Sequence, residues 1–331
     1  MAYKLGIIGT NWITKQFVQA AHESGQYALT AVYSRHEDTG QQFAQTFNVD
    51  AVYTDLESFY TSGINVVYIA SPNSVHFEQV KAAISHDIHV IVEKSAFSNP
   101  TEYAAILELL HDHPAVRLFE AARHIQQANF KIIEKQVAQM EKISGATFVY
   151  EKYSSRFDDY LAGNEPNVLS RRFSAGALTD LGVYPIYAAI KLFGAPKQSH
   201  YFATPLRNGA DGRGIAILRY KDFDVTIEFG KGSNSHLTSE ILGRRDTLVI
   251  GDIAEVLNVT YYDDGGTAHQ LSQEPLSNPM IAEVVKFADM MTNPNETVEA
   301  YQELLTLSRT VNQVLFDLRQ DAGIVFPADE Q

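Results

Sequence analysis

The first third of the chain alternates short, wholly apolar runs with stretches whose apolar residues recur at helical spacing. Lys4–Ile8 is an apolar run closed by Gly9-Thr10-Asn11, and a helix is predicted from about Trp12, with Ile13, Phe17, Ala20 and Ala21 on one face. Leu29–Tyr33 is the next predicted strand, followed by an amphipathic stretch from about Asp38 to Phe47. A short strand at Ala51–Tyr53 and a helix from about Asp55 come next. Val66–Ala70 stops at Ser71-Pro72-Asn73 and leads into a helix over Val75–Ser85. His89–Val92 ends at Glu93-Lys94, Thr101–Leu110 reads as a helix, and Arg117–Glu120 closes the series. Strands apolar on both faces and separated by helices imply a parallel sheet covered on both sides. Such a doubly wound sheet binds ligands at the carboxyl ends of its strands.

After a long predicted helix at about Ile125–Met140 the rhythm changes. Ala146–Tyr153, Ser199–Ala203, Gly214–Tyr220, Val225–Phe229, Leu237–Leu242, Thr247–Ile250 and Glu255–Tyr262 read as strands. Turns such as Lys221-Asp222 and Asp263-Asp264-Gly265-Gly266 join or end them, which predicts a mostly antiparallel sheet. One helix (about Leu178–Phe193) interrupts this series, and two more (Met280–Met291 and Val298–Arg319) end the chain. The fold class is α/β: an N-terminal doubly wound domain, then an α+β domain with a large, mostly antiparallel open sheet.

A length of 331 residues fits two domains, at about 150 residues each. The 18 Phe and 17 Tyr supply ample apolar surface for a core, which excludes disorder as the main state. A formal charge of −14 disfavours nucleic acid and anionic membranes as partners. With no Cys, disulfides, thiol nucleophiles and Cys-ligated metals are excluded. No apolar run is long enough to span a bilayer. The N-terminus shows no leader pattern, so a cytoplasmic location is expected.

Gly6-Ile7-Ile8-Gly9-Thr10-Asn11-Trp12-Ile13-Thr14 lies at a strand–turn–helix junction. In the dinucleotide fingerprint G-x-G-x-x-G/A the glycines make the turn, admit the pyrophosphate and let helix pack on strand. Aligned on Gly9, the three positions hold Gly9, Asn11 and Thr14. Asn tolerates a left-handed backbone, while its side chain is expected to crowd the pyrophosphate side. A purely structural turn fits the motif taken alone. The second predicted strand ends in Ser34-Arg35, with no acid there for ribose hydroxyls. Arg near this position suits a 2′-phosphate, so NADP(H) is favoured and NAD(H) remains possible; a solvated loop Arg is the other reading.

Lys94 directly follows Val90-Ile91-Val92-Glu93, at the carboxyl end of a predicted parallel strand. A Lys beside a bound nicotinamide can polarise or protonate an oxygen during hydride transfer; a surface Glu–Lys pair has the same pattern. Asp180, Tyr184 and Tyr187 are spaced i, i+4, i+7 and so share one helical face. An acid and two phenols on one stripe suit a hydroxylated substrate, although a capping Asp with two packed tyrosines fits equally.

Together these motifs resemble the Gfo/Idh/MocA family, which includes glucose-fructose oxidoreductase, inositol dehydrogenase and dimeric dihydrodiol dehydrogenase. The resemblance runs through the opening turn, Ser34-Arg35, Ala70-Ser71-Pro72-Asn73 with His76, Glu93-Lys94, Glu120-Ala121-Ala122-Arg123, the Asp180–Tyr187 segment and Gly323-Ile324-Val325-Phe326-Pro327. It implies a nicotinamide-dependent dehydrogenase or reductase acting on CH–OH groups of a sugar, polyol or related hydroxy/carbonyl compound. Its cofactor contacts are implied at Gly9, Thr10, Asn11, Trp12, Ile13, Ser34, Arg35, Ser71, Pro72, Asn73, His76, Glu93 and Lys94. It makes Lys94 the residue of proton transfer and nicotinamide placement, Asp180 a substrate-orienting acid and Tyr184 the acid/base. A phenol ordinarily titrates near about 10, and a nearby Lys94 ammonium is the expected means of lowering it. Two departures stand out: Asn11 replaces the second glycine, and Ser95 replaces the proline after Glu-Lys.

Substrate contacts are expected from Arg123, Tyr153, Arg156, Asp180 and Tyr187. An Arg there would suit a carboxylate or phosphate; either Arg also fits a structural ion pair. The clusters His111-Asp112-His113 and His86-Asp87-Ile88-His89 lack a third ligand at a suitable spacing, so no metal is expected. No G-x-S-x-G elbow occurs. The expected domains are 1–123 for the dinucleotide, with 298–331 packing back on it, and 124–297 for substrate and dimerisation. The resemblance implies at least a homodimer through the open sheet face. The same family contains a repressor that binds the dinucleotide without turnover, so a non-catalytic sensor is the alternative function.

Overall fold

The computed structural model describes residues 2–330; Met1 and Gln331, the outer ends of the expected domains, lie outside the described residues. The chain forms two compact units. One runs to Ala121 and takes in Leu276–Thr306; the other holds Ala122–Pro275 and the chain from Leu307 onward.

In the first unit the strands are β1 (Tyr3–Ile8), β2 (Tyr27–Tyr33), β3 (Val52–Tyr53), β4 (Val66–Ile69), β5 (His89–Glu93) and β6 (Leu118–Ala121). Their order is β3-β2-β1-β4-β5-β6 and every pairing is parallel. Between them lie α1 (Trp12–Glu23), α2 (Glu37–Thr46), α3 (Leu56–Tyr60), α4 (His76–Ser85) and α5 (Pro100–Asp112). The sheet is doubly wound because its strands are apolar on both faces. Leu5, Ile7, Val66, Tyr68 and Ile91 point into one core. Ile8, Val67, Ile69, Val90 and Val92 point into the other. The chain order reverses between β1 and β4, and this is where such sheets take ligands.

In the second unit α6 (Ala128–Gln139), β7 (Gly145–Glu151), α7 (Phe157–Leu161) and α8 (Val183–Phe193) precede the strands β8 (Gln198–Pro205), β9 (Asp211–Arg219), β10 (Asp224–Gly230), β11 (Ser239–Leu242), β12 (Thr247–Asp252), β13 (Leu257–Tyr262) and β14 (Ala268–Gln270). The eight strands are ordered β14-β13-β12-β11-β7-β10-β9-β8. Only β7 and β10 run parallel; the other neighbours are antiparallel. On the inner face Phe148, Ala216, Leu218, Val225, Ile227, Phe229, Ile241, Leu248 and Ile250 are buried.

Some boundaries differ from those expected. The long helix at 125–140 is a short 3₁₀ turn (Arg123–Gln126) followed by α6. The edge strand β14 escapes the apolar pattern because all three of its residues are exposed. Two further helices complete the chain, α9 (Ile281–Thr292) and α10 (Val298–Asp321). The stretch 276–297, grouped by the sequence with the second domain, packs with the first unit. There Val284, Phe287, Ala288 and Met291 of α9 join the core of β1 and α1, and Phe287 stacks on Phe119 at 4.5 Å. Within α10 the division falls between Thr306 and Leu307. The tail beyond it joins the second unit, where the Asp321 carboxylate accepts from the Tyr201 amide at 2.7 Å.

Candidate active site

In the first unit the turn after β1 is set by Gly9, whose φ is +100°. A Cβ there would meet the Ala70 carbonyl oxygen at 2.6 Å, so only glycine fits. Asn11 does not use the left-handed conformation that Asn tolerates: it is extended (φ −83°, ψ 179°) and caps α1. Its Oδ1 accepts from the Ile13 and Thr14 amides at 3.0 and 3.1 Å, and its Nδ2 donates to the Ala70 carbonyl at 2.9 Å. The side chain is thus turned back onto the helix end and β4. Trp12 begins the helix with 73% of its surface exposed.

At the end of β2, Ser34 is buried and its amide donates to the Tyr53 carbonyl, while Arg35 is exposed. The first acid beyond them is Glu37, already inside α2. The first turn of α1 carries no acid either. A glycine turn without room for a Cβ, a helix N-terminus free of carboxylates and a Ser-Arg pair ending β2 together fit a phosphorylated dinucleotide.

The loops after β4 and β5 are joined through His76. This residue has no exposed surface; its Nε2 faces the Ser71 carbonyl at 2.8 Å and its Nδ1 the Ala96 carbonyl at 3.2 Å. Burial pushes the imidazole down to about 4, aided by the Lys94 charge and opposed by the carbonyl contacts. His76 therefore holds the Ser71-Pro72-Asn73 loop in place and presents no surface of its own to a ligand. Ser71 Oγ donates to Gln79 at 2.5 Å, and Ser71, Pro72 and Asn73 are all half-buried. Glu93 accepts from the Tyr68 hydroxyl at 2.5 Å. Lys94 is half-buried at the end of β5, the Lys94–Ser95 peptide is cis, and Glu120 accepts from the Ala96 amide at 3.0 Å.

In the second unit Asp180 lies in a π-helical turn (Leu178–Gly182) that runs directly into α8. The expected regular α stripe is therefore broken. Pro185 has no N–H to donate to the Leu181 carbonyl, and the wider turn sits where that bond would fall. Tyr184 is half-buried beside Tyr150 and His124, with ring centroids at 5.5 and 5.0 Å. Tyr187, expected to line the substrate site, is only 2% exposed and belongs to the core next to His124. His124, in the 3₁₀ turn before α6, also bonds the Tyr184 carbonyl at 3.0 Å, a support that the sequence pattern does not signal.

The two arginines have carboxylate partners of their own. Arg123 is buried and its two terminal nitrogens engage Glu255 as a fork. A substrate anion would have to displace Glu255 to reach it. Arg156 is exposed and lies 3.6 Å from Asp159. Tyr153 donates its hydroxyl to Asp158 at 2.7 Å, which holds the phenol above its ordinary range.

Two residues beneath Asp180 were not singled out from the sequence. Lys231, 1% exposed, forms an ion pair with the Asp180 carboxylate. Asp211, also buried, accepts from the Leu178 amide at 2.6 Å and the Tyr201 hydroxyl at 2.7 Å. Gly176 packs against the Asp211 carboxylate with no room for a Cβ.

Among the described residues no group of three or more potential ligands could hold a metal, and no helix is long and apolar enough to cross a membrane. Within those clusters His113 Nδ1 lies in hydrogen-bond reach of the Asp87 carboxylate at 2.8 Å and His86 Nε2 of the Glu57 carboxylate at 3.2 Å.

The model of the oxidoreductase family with an NAD-binding Rossmann fold (Gfo/Idh/MocA) matches residues 3–121. The chain is 39% identical to the uncharacterized oxidoreductase YgjR of Escherichia coli, over 98% of both chains. It is 33% identical to the scyllo-inositol 2-dehydrogenase (NADP(+)) IolU of Bacillus subtilis, over 99% of both. In fold it is similar to a 3-ketoreductase from Actinomadura kijaniata in complex with NADP and TDP-benzene, with a TM-score of 0.85 and 17% identity over 97% of this chain and 98% of that one.

Proposed function

The chain belongs to the Gfo/Idh/MocA oxidoreductase family, and from that premise we propose that it transfers a hydride between NADP(H) and a CH–OH carbon of a sugar or polyol, with NAD(H) as the weaker cofactor. The observation that carries the reading is Lys94 at the carboxyl end of β5, in the same parallel sheet whose Gly9 turn and Ser34-Arg35 pair suit a phosphorylated dinucleotide. Gly9, Thr10, Asn11, Trp12 and Ile13 would hold the pyrophosphate, and Ser34 and Arg35 the 2′-phosphate. Ser71, Pro72, Asn73, Glu93 and Lys94 would hold the remainder, with His76 fixing their loops from beneath. When bound, the nicotinamide supplies the hydride donor or acceptor.

Lys94 and Tyr184 handle the proton that accompanies the hydride, and Asp180 orients the reacting hydroxyl. Tyr153 and Arg156 are assigned to the outer substrate contacts; Arg123 and Tyr187 support them from the interior. The Bacillus subtilis relative's name makes scyllo-inositol the first polyol to test. We assign the protein to the cytoplasm and to a homodimer formed through the outer sheet face, where Phe202 is 66% exposed.

Steady-state kinetics on inositols and aldoses test the reading. Lys94→Met and Tyr184→Phe are each expected to lower kcat by about 100-fold or more, with NADPH binding left intact in Tyr184→Phe. Wild-type rates in both variants would refute the proton assignment. Binding of NADPH without turnover of any polyol would favour the sensor reading instead.

A further inference from the structure

Lys231 follows β10 directly, and its main chain is held on both sides. Its amide donates to the Gly212 carbonyl at 2.9 Å and its carbonyl accepts from the Ser154 amide at 2.9 Å. The side chain has nowhere to go but inward: the residue is 1% exposed. A buried ammonium is costly unless a carboxylate meets it. Here that carboxylate is Asp180, whose own side chain remains 31% exposed. We propose that Lys231 is the positioning residue of the candidate active site, holding the Asp180 carboxylate ionised and aimed toward a polyol hydroxyl. The inference rests on the reading of Asp180 as a substrate-orienting group.

The surroundings explain why a cation is needed there. Asp211 stands nearby on β9, and its carboxylate receives the Leu178 amide at the start of the turn that carries Asp180. Tyr201 of β8 donates to the same carboxylate. Burial raises the Asp211 carboxyl, while those hydrogen bonds and the Lys231 charge oppose that rise. One ammonium therefore serves two carboxylates: Asp211 anchors the main chain of the π turn, and Lys231 anchors the side chain that the turn presents. Lys231 brings a positive charge to the Asp180 carboxylate from below, and removing that charge would make Asp180 keep its own less readily. Nothing in this arrangement requires Lys231 to touch substrate; it acts through Asp180.

The test reads Asp180 directly. In protein labelled with ¹³C at aspartate carboxyls, its signal is identified by its loss in Asp180→Asn and titrated without cofactor or substrate. In Lys231→Met the Asp180 carboxyl is expected to titrate about one to three pH units higher than in wild type, with Lys231→Arg restoring most of the difference. An unmoved titration overturns the proposal. Should Lys231→Met fail to fold, the double variant Lys231→Met/Asp180→Asn, which removes both charges, is expected to fold; if it fails as well, the proposal falls. Kinetics with enzyme saturated by NADP+ separate the two readings. A KM for polyol raised about 10-fold or more, with cofactor affinity unchanged, supports both; one hydrogen bond to a charged group is of that size. If the titration moves but neither Lys231→Met nor Asp180→Asn alters KM or kcat, the pairing stands and the substrate-orienting assignment of Asp180 is wrong.

Discussion

Asn11 donates through Nδ2 to the carbonyl of Ala70 at 2.9 Å, tying the turn after β1 to the end of β4. The same side chain caps α1 through Oδ1, so one residue both starts the helix and joins the two strands where the sheet reverses order. This is why a non-glycine residue is accommodated at the fingerprint's second position. The amide side chain lies along the helix end, with its backbone extended rather than left-handed.

Asn11→Asp and Asn11→Ala separate the two contributions. Asn11→Ala loses cap and tie together and should lower stability by about 1–2 kcal/mol, read as a lower urea midpoint at constant slope. Asn11→Asp keeps the capping acceptor but puts an oxygen in place of the Nδ2 donor against the Ala70 carbonyl, so its stability loss reads the tie alone. It places a negative charge at the turn proposed to hold the pyrophosphate, so NADPH affinity, followed through Trp12 emission, should fall by about 10-fold or more. Unchanged NADPH affinity in Asn11→Asp would place the pyrophosphate elsewhere.

We propose that cofactor choice turns on Arg35. Its exposed guanidinium follows a buried Ser34, and no acid lies between them and Glu37. A hydrogen bond to a charged group is worth about 1.5–3 kcal/mol, roughly 10- to 100-fold in affinity. Arg35→Ala should therefore weaken NADPH by that factor while moving NADH little. Calorimetric titration of both cofactors checks this, and equal losses for the two would remove Arg35 from 2′-phosphate recognition.

His76 predicts an acid limb in stability. Its folded value, about 4, lies below the ordinary 6.5 because the ring is buried. Between those values the unfolded chain binds the proton and the folded one does not, so stability is fully present above about pH 6.5 and is lost as pH falls toward 4. At about 1.4 kcal/mol per pH unit, this single group removes on the order of 3 kcal/mol. Urea midpoints measured from pH 7 to 4 should fall accordingly. The His76→Gln variant, already weaker at pH 7, should show a flatter profile. An equally steep profile in that variant would assign the acid limb to other groups, such as His89, whose imidazole burial also lowers to about 4.

The parallel sheet was legible because its information is local: Val66–Ile69 and Val90–Val92 are apolar at every position, which only a strand covered on both faces requires. Gly9 and Lys94 were legible because strand ends position them. Asn11 as a helix cap is signalled too, since Asn immediately before a helical run is a favoured cap, although the same position coincides with the second glycine of the fingerprint. The remaining features depend on distant partners. Lys231 looks like any lysine after a strand; its burial follows from Asp180, 51 residues away in the chain. Tyr187 shares the spacing of a lining residue, yet the π turn before α8 alters the face on which Asp180 lies relative to it. Apolar periodicity marks α9 as a helix but does not say which sheet will receive Phe287.

The C-terminal tail offers a contrast between a buried and an exposed ion pair in the same unit. Arg319 and Asp329 are 2% and 7% exposed at their side chains and 2.8 Å apart. Arg319 also donates to the Ile324 carbonyl at 2.9 Å and stacks on Phe326 at 3.8 Å. Asp329 in turn accepts from the Phe326 amide at 2.8 Å, so the pair closes the Gly323–Pro327 segment onto α10. Asp329→Ala leaves the guanidinium buried without this carboxylate and should cost about 3–5 kcal/mol. Arg219 and Asp224, 57% and 41% exposed, bond at 2.6 Å, yet Arg219→Ala should cost far less than Asp329→Ala because solvent screens that pair. Urea denaturation of the two single variants gives the comparison. Exchanging both tail residues for apolar ones, as in Arg319→Met/Asp329→Leu, should recover part of the Asp329→Ala loss, since no charge then remains buried. A double variant as unstable as Asp329→Ala would mean that the tail is held by the main-chain bonds at Ile324 and Phe326 and not by the charge pair.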